Sequence, residues 1–300
     1  MATIGASYID LIDVFKRSDD KLQIATIIEL LAETNSMLED AMAVECNMGQ
    51  RHRTTVRTGL PAVTWGQLYS GIPQSKSETT QVEDATGFLE ALSTVDKRLL
   101  DLSTNEGALR LSEAKAFLES LSQEMQNQLI YGNVATDPEK FTGFAPRFND
   151  LSAVNANQIV DAGGTGSDNT SIWFVTWGDN QCHMLYPQNT SAGLSREDKG
   201  EQRVTDANGD AYYVKEELFR WHAGLTVRDW RQVVRVANID VSDLQAGSVD
   251  IYDFMRKGFW RLRQHRVSGG RMAIYCNSDV LEALDQASTP TSSTSTGSLV

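Results

Sequence analysis

Arg51-His52-Arg53-Thr54-Thr55-Val56-Arg57-Thr58 and Ser77-Glu78-Thr79-Thr80-Gln81-Val82-Glu83-Asp84 flank the strongest turn punctuation in the chain: Gly59, Pro61, Gly66, Gly71 and Pro73. Both flanks lean toward β structure and are polar on both faces. They read as two strands of a long hairpin standing away from any core. An isolated two-stranded hairpin is marginal in water. This one needs a partner surface, and a neighbouring subunit is the obvious candidate. Trp65 and Tyr69 in the loop read either as aromatic anchors at an interface or as parts of a locally packed loop.

Moving outward, Leu22, Ile24, Ile27, Ile28, Leu31 and Leu38 recur at spacings of three and four and predict a helix, interrupted at Thr34-Asn35-Ser36. Residues 1–50 read as an arm that packs on something else. Residues 106–131 predict the clearest helix, with Leu111, Ala114, Leu118, Leu121, Met125 and Leu129 on one stripe. At 1.5 Å per residue it is ~39 Å long, the length of a structural spine rather than an ordinary domain helix. Strand signals follow. Ile172–Trp177 is β-branched and aromatic, and His183–Tyr186 is expected to be its hairpin partner. Val204–Val214 reads as a hairpin in which Asn208-Gly209 supplies the two positive φ angles of a type I′ turn. Leu225–Ile239 reads as one long strand with a bulge between Val227 and Trp230. The last section is α/β: a helix marked by Ile251, Phe254, Met255, Phe259 and Leu262, a buried strand at 271–276, and a helix at 280–284. From Ser288 to Ser298 nine of eleven residues are Ser or Thr, a composition that cannot pack a core.

Composition excludes more than it assigns. The 300 residues carry 27 Lys+Arg and 40 Asp+Glu, a formal net charge of -13. That disfavours a dedicated nucleic-acid binder, whose footprint is basic, but not a protein that lives beside DNA without sticking to it. No run of eighteen apolar residues predicts a membrane span, and Met1–Asp20 carries four acids where a signal peptide would be apolar. Cys46, Cys182 and Cys276 are odd in number and far apart, which suits free thiols in a reducing cytosol.

Catalytic motifs are missing. His52, His183, His222 and His265 have no second His or Cys at metal-site spacing. There is no nucleophile elbow and no phosphate-binding loop, and Gly163-Gly164-Thr165-Gly166 precedes a strand rather than a helix. Neither a catalytic residue, a metal nor a cofactor is expected. One charged feature stands out: Arg256, Lys257, Arg261, Arg263 and Arg266 in a stretch without acids. It reads either as a cationic surface facing phosphate or a subunit, or as the solvated face of the 251–266 helix paired with local acids.

Several segments, taken in order, carry a resemblance. They are Phe141–Phe148, Ser171–Gly178, His183–Pro187, Ala192-Gly193-Leu194, Gly224–Arg231, Val236–Ile239 and Met272–Asn277. The series resembles the major capsid proteins of tailed podophages of the epsilon-fifteen and Bordetella phage type over essentially the whole chain. The resemblance implies an α+β Hong Kong 97-type capsid fold in permuted order. Residues 1–50 would be the amino-terminal arm and 51–100 the E-loop region. Residues 101–240 would be the peripheral domain with spine helix and long sheet, and 241–300 the axial domain. Candidate intersubunit contacts of the E-loop are then Arg57, Trp65, Tyr69 and Lys76; Lys76 alone defines no crosslink. The family continues past the Ser/Thr-rich part with a further strand of G-I-P-I-R-R character, where the given sequence ends at Val300.

The implied role is structural. Hexamers and pentamers would form an icosahedral head in the host bacterial cytoplasm, enclosing double-stranded DNA without reading its sequence. Scaffolding, portal and decoration proteins are the implied partners, and no membrane is. Two rivals remain at this stage: an encapsulin-like compartment shell sharing the fold, and a soluble enzyme with an α/β end domain.

Overall fold

The computed structural model describes residues 36–103, 105–264 and 269–288. The helix expected over Leu22–Leu38 lies outside these residues except for its end, where Ser36–Asp40 forms a short helix, α1. The chain divides into two compact units. Among described residues the first holds 36–39, 43–103, 105–144 and 184–225, and the second holds 40–42, 145–183, 226–264 and 269–288.

In the first unit, β1 (Ala43–Glu45) is followed by β2 (Arg51–Gly59) and β3 (Glu78–Asp96). β2 and β3 form the expected antiparallel hairpin, from Arg51 opposite Ala85 to Gly59 opposite Glu78. β3 does not end there. Its second half leaves β2 and pairs antiparallel with β8 (Ala211–Val227), from Thr86 opposite Gly224 to Asp96 opposite Val214. Asp96 then caps α2 (Lys97–Leu102), accepting the Arg98 backbone N–H at 2.8 Å. Val95, Leu99, Leu100 and Leu109 close a small core at this corner.

The spine helix α3 spans Glu106–Tyr131, as the periodicity predicts. Asn105 caps it by accepting the Ala108 N–H at 3.1 Å, and Gly132 ends it by donating to the Gln128 carbonyl at 2.9 Å. Ala114 and Leu121 pack with Phe219 of β8, beside Phe117, Leu118, Leu89 and Ala91. Leu111, expected on the buried stripe, is exposed, and Leu109 takes its place.

β7 (Leu194–Thr205) pairs antiparallel with the other edge of β8. This hairpin is present but far longer than Val204–Val214, and its turn differs. Only Gly209 has positive φ (89°); Asn208 does not. Asp206 organises the turn instead: its carboxylate accepts the N–H groups of Asn208 and Asp210, both at 2.9 Å. The Asp206 and Asp210 backbones close a three-residue loop with Gly209 as the left-handed residue. An aspartate able to bond its own turn outcompetes the two-residue geometry.

Glu217 of β8 is buried between two guanidinium groups. Arg196 of β7 makes a bidentate contact with it at 2.8 and 2.9 Å, and Arg110 of α3 pairs with it from the helix side. Arg110 also reaches Asp198 at 2.8 Å. One carboxylate therefore ties spine, β8 and β7 together.

In the second unit, α4 (Phe144–Arg147) leads through a 3₁₀ turn to β4 (Ile159–Asp161), β5 (Asn169–Trp177) and the start of β6 (Cys182–Tyr186). The expected β5–β6 hairpin does not form: the strands meet only at Trp177 and Cys182, in parallel. β6 pairs instead with β1, Ala43–Glu45 against Met184–Tyr186. β5 is claimed on both sides, by β9 (Val233–Asp240) and by β10 (Arg271–Tyr275). β4 runs parallel to β9.

The expected long strand over Leu225–Ile239 is two strands. The phase shift read as a bulge is a turn: Trp230–Gln232 is a 3₁₀ turn capped by Asp229, and Arg228 and Asp229 donate to the Gln181 carbonyl at 2.9 and 3.2 Å. β10 is half exposed rather than buried, because it is an edge strand.

Three helices cover this sheet: α5 (Val241–Gln245), α6 (Ile251–Gln264) and α7 (Ser278–Ser288). Their Leu244, Ile251, Leu262 and Val280 pack on Val160, Ile172, Phe174, Val234, Val236 and Ile239. Gly258 lets α6 approach closely, since a Cβ there would sit 2.6 Å from the buried Phe174 ring.

Gly258→Ala adds ~1 kcal/mol of helix propensity but overpacks that contact at ~1–3 kcal/mol. The expected outcome is a net loss of roughly 1 kcal/mol, read as a melting point lower by about 2–4 °C. Glu217→Gln leaves two arginines with a neutral partner. Thermal melting should show a loss of about 1–3 kcal/mol, below the full ~3–5 kcal/mol of a broken buried pair because Arg110 keeps Asp198.

Candidate assembly surfaces

The hairpin is polar along its length. Asn47 clamps the Arg53 backbone with two hydrogen bonds of 2.8 Å, and Arg53 pairs across the strands with Glu83. Its tip has the opposite character. Ser75 Oγ donates to the Ala62 carbonyl at 2.8 Å and draws the loop ends together. Beyond that tie, Val63, Trp65, Leu68, Tyr69 and Ile72 face solvent, with Trp65 98% exposed. Tyr69 sits at φ 65°, next to a Gln67–Ser70 turn.

Full burial of each such side chain is worth ~1.5–3 kcal/mol, so leaving several of them in water within one loop is costly. Arg57, opposite Thr79 in the hairpin, and Lys76, two residues before β3, are both exposed. Sequence reading singled out the two aromatic residues and missed Val63, Leu68 and Ile72. The available signal was apolar residues scattered among Gly and Pro, in a segment with no core to enter.

The basic stretch is not one surface. The Arg261 guanidinium turns inward and donates to the carbonyls of Asn157 at 3.1 Å and Ile159 at 2.6 Å. Lys257 pairs with Asp253 at 2.6 Å. Arg263 lies over the Phe259 ring at 5.1 Å, and Arg256 is exposed. Arg266 lies outside the described residues.

A third feature went unread in the sequence. Tyr275 accepts from Trp177 Nε1 at 2.7 Å and donates to Asp40 Oδ2 at 2.9 Å, and Arg271 pairs with Asp40 at 2.7 Å. Burial, and then the Asp40 carboxylate, push the Tyr275 phenol well above its ordinary range. Asp40 is thus held within the second unit by Tyr275 and Arg271. Its partners are more than 130 residues away in sequence, so no local pattern reveals them.

Little here resembles a reaction centre. Among the described residues no group of three or more His, Cys, Asp or Glu is arranged to hold a metal. Cys46 and Cys182 are buried and form no disulfide, and burial pushes the Cys46 thiol up to about 11. A shallow cleft of about 120 Å³ lies between β3 and the carboxyl end of α3, floored by Phe88, Met125 and Phe141. Phe88 leans on His222 of β8, ring centroids 5.7 Å apart. Desolvation, and then Arg220, hold the His222 imidazole below its ordinary 6.5.

A body sheet on a long spine helix, an extended hairpin with an apolar tip and a second α/β unit together describe a Hong Kong 97-type capsid protein. Comparison with known proteins agrees. The structure of bacteriophage Epsilon15 contains a chain that matches with a TM-score of 0.77 at 35% identity, over 100% of this chain and 92% of that one. The capsid of a native GTA particle shares the fold, with a TM-score of 0.50 at 12% identity over 72% and 94%. An encapsulin from Synechococcus elongatus PCC 7942 matches at 13% identity over 77% and 97%, with a TM-score of 0.49. None of the curated proteins matches the sequence. The family model for major capsid protein GP7 matches residues 19–298. The chain belongs to that family, and its role is that of a structural coat protein of a phage head.

For His222 the linkage sign is set by its lowered pKa. The unfolded chain takes up the proton first, near 6.5, so stability falls as pH drops below that value and levels off below the folded pKa. Denaturant titrations at pH 7 and pH 5 should show this loss, roughly 0.5 kcal/mol given the ring's partial solvent contact, and His222→Gln should remove it.

Proposed function

We propose that many copies of this chain assemble into hexamers and pentamers of an icosahedral head, with the hairpin of each copy laid on a neighbour. The observation that carries the reading is the apolar tip on a polar hairpin. Val63, Trp65, Leu68, Tyr69 and Ile72 find no cover in their own subunit. Stable interfaces bury ~1,200–2,000 Å², and an extension ending in an apolar loop supplies such area without enlarging the body.

In this reading residues 1–50 act as the arm, 51–100 as the E-loop region, 101–240 as the peripheral domain and 241–300 as the axial domain. Arg57, Trp65, Tyr69 and Lys76 make contacts between subunits. The head forms in the host cytoplasm with scaffolding and portal proteins, accepts a decoration protein, and encloses double-stranded DNA. The net charge of -13 supports the last point. A shell that bound DNA tightly would hinder its packing and release, whereas an acidic one does not hold it.

Removal of residues 62–75 tests the hairpin. The body should melt within a few degrees of the unaltered chain, while closed particles disappear from sedimentation and electron micrographs. Trp65→Ala should lower particle yield in the same assay without moving the melting point. Normal particles from the deletion would refute the role given to the loop.

A further inference from the structure

Asn208-Gly209 lies in the turn between β7 and β8. Among the asparagines of the chain, only Asn208 precedes a glycine. That order matters chemically. The side-chain amide of an asparagine is open to attack at Cγ by the backbone nitrogen of the next residue. Glycine is the least hindered attacker, because no Cβ screens its nitrogen. Asn208 is exposed, and its side-chain amide has no hydrogen-bond partner among the described residues. The space around Gly209 is open as well, since a Cβ there would meet nothing within 4 Å.

The turn itself opposes the attack. The Gly209 N–H donates to the Asp206 carbonyl at 3.1 Å. The Asp206 carboxylate accepts the N–H groups of Asn208 and Asp210, both at 2.9 Å, and the Asp206 N–H donates to the Asp210 carbonyl at 2.9 Å. While the turn is closed, the attacking nitrogen is committed as a donor. It must give up that bond and shed its proton before it reaches Cγ. Reaction therefore proceeds from the fraction of chains in which the turn has opened.

We propose that Asn208 is a site of spontaneous deamidation and that Asp206 governs its rate by holding the turn shut. The Gly209 nitrogen forms a bond to Asn208 Cγ, and the bond from Cγ to the side-chain nitrogen breaks. That nitrogen departs as ammonia, carrying in net the proton that Gly209 gave up. Water then opens the resulting succinimide at either carbonyl and leaves aspartate or isoaspartate. Water is the sole co-reactant, and nothing is oxidised or reduced. Either product places a third carboxylate between Asp206 and Asp210, and isoaspartate adds a carbon to the loop backbone. Each conversion makes the copy more negative and weakens the turn that slowed it. The chemistry needs one turn of a single chain and is independent of assembly.

The test follows the full chain, Asp206→Ala and Asp206→Asn in mildly alkaline buffer. Conversion at each asparagine is read by peptide mapping with mass spectrometry, and fold by thermal melting. In denaturant all three forms should convert Asn208 ahead of every other asparagine and at one common rate, because no turn remains. In native buffer Asn208 of the unaltered chain should still convert, but more slowly. Asp206→Ala removes both bonds to the carboxylate and should speed native conversion about five- to thirtyfold. Asp206→Asn keeps an acceptor in the same place and should stay within about threefold of the unaltered chain.

No conversion at Asn208 in native buffer, in the unaltered chain and Asp206→Ala alike, overturns the site. Equal native rates in those two forms overturn the role of Asp206. So does an Asp206→Asn as fast as Asp206→Ala, which would assign the effect to charge rather than to the turn. A difference between the forms that persists in denaturant overturns it too, because it would then belong to the neighbouring side chain and not to the fold. If Asp206→Ala does not melt cooperatively, the unaltered chain decides: a native rate equal to its rate in denaturant means that the turn protects nothing.

Discussion

The structure of the first unit depends on β3 as one uninterrupted strand. From Glu78 to Ala85 its backbone is satisfied by β2, and from Thr86 to Asp96 by β8. A hairpin of two strands alone is marginal in water. This one is continuous with a strand that β8 and the spine helix hold from both sides, so the body fixes the direction of the hairpin and the hairpin needs little core of its own. The arrangement lets Arg51–Gly59 stay polar, since no face of β2 beyond His52 and Thr54 has to be buried. It also projects an apolar loop away from the subunit that makes it.

Electrostatics reinforces the same division. Inside the first unit, charges are spent in pairs, with Glu217 held by Arg110 and Arg196, Lys97 by Glu201 and Arg220 by Glu90. Exposed pairs of this kind contribute little each, but the buried Glu217 locks spine to sheet, because leaving it unpaired would strand a charge away from water. In the second unit Lys257 pairs with Asp253, and Arg261 turns inward onto backbone carbonyls.

Much of this was legible in the sequence. The spine helix, the polar hairpin and the α/β end follow from periodicity and turn chemistry, because both report local backbone preference. Most departures from that reading share one cause. His183–Tyr186 is a strand, but its partner is Ala43–Glu45 rather than the adjacent Ile172–Trp177. Leu225–Ile239 is extended on both sides of a turn that Asp229 caps and the distant Gln181 carbonyl holds. Arg261 reads as surface charge until the carbonyls of Asn157 and Ile159 are found beside it.

The sequence by itself determined the spine helix, the polar hairpin and the α/β end, that the hairpin could not be self-sufficient, and that the chain holds no recognised motif for catalysis or a metal. Only the tertiary structure decided which strands pair, which charges turn inward and which apolar side chains are left uncovered. The physical reason is range. Backbone propensity and alternation act over a few residues, whereas pairing, burial and charge neutralisation join residues such as Asp40 and Tyr275 that meet only once the chain has folded.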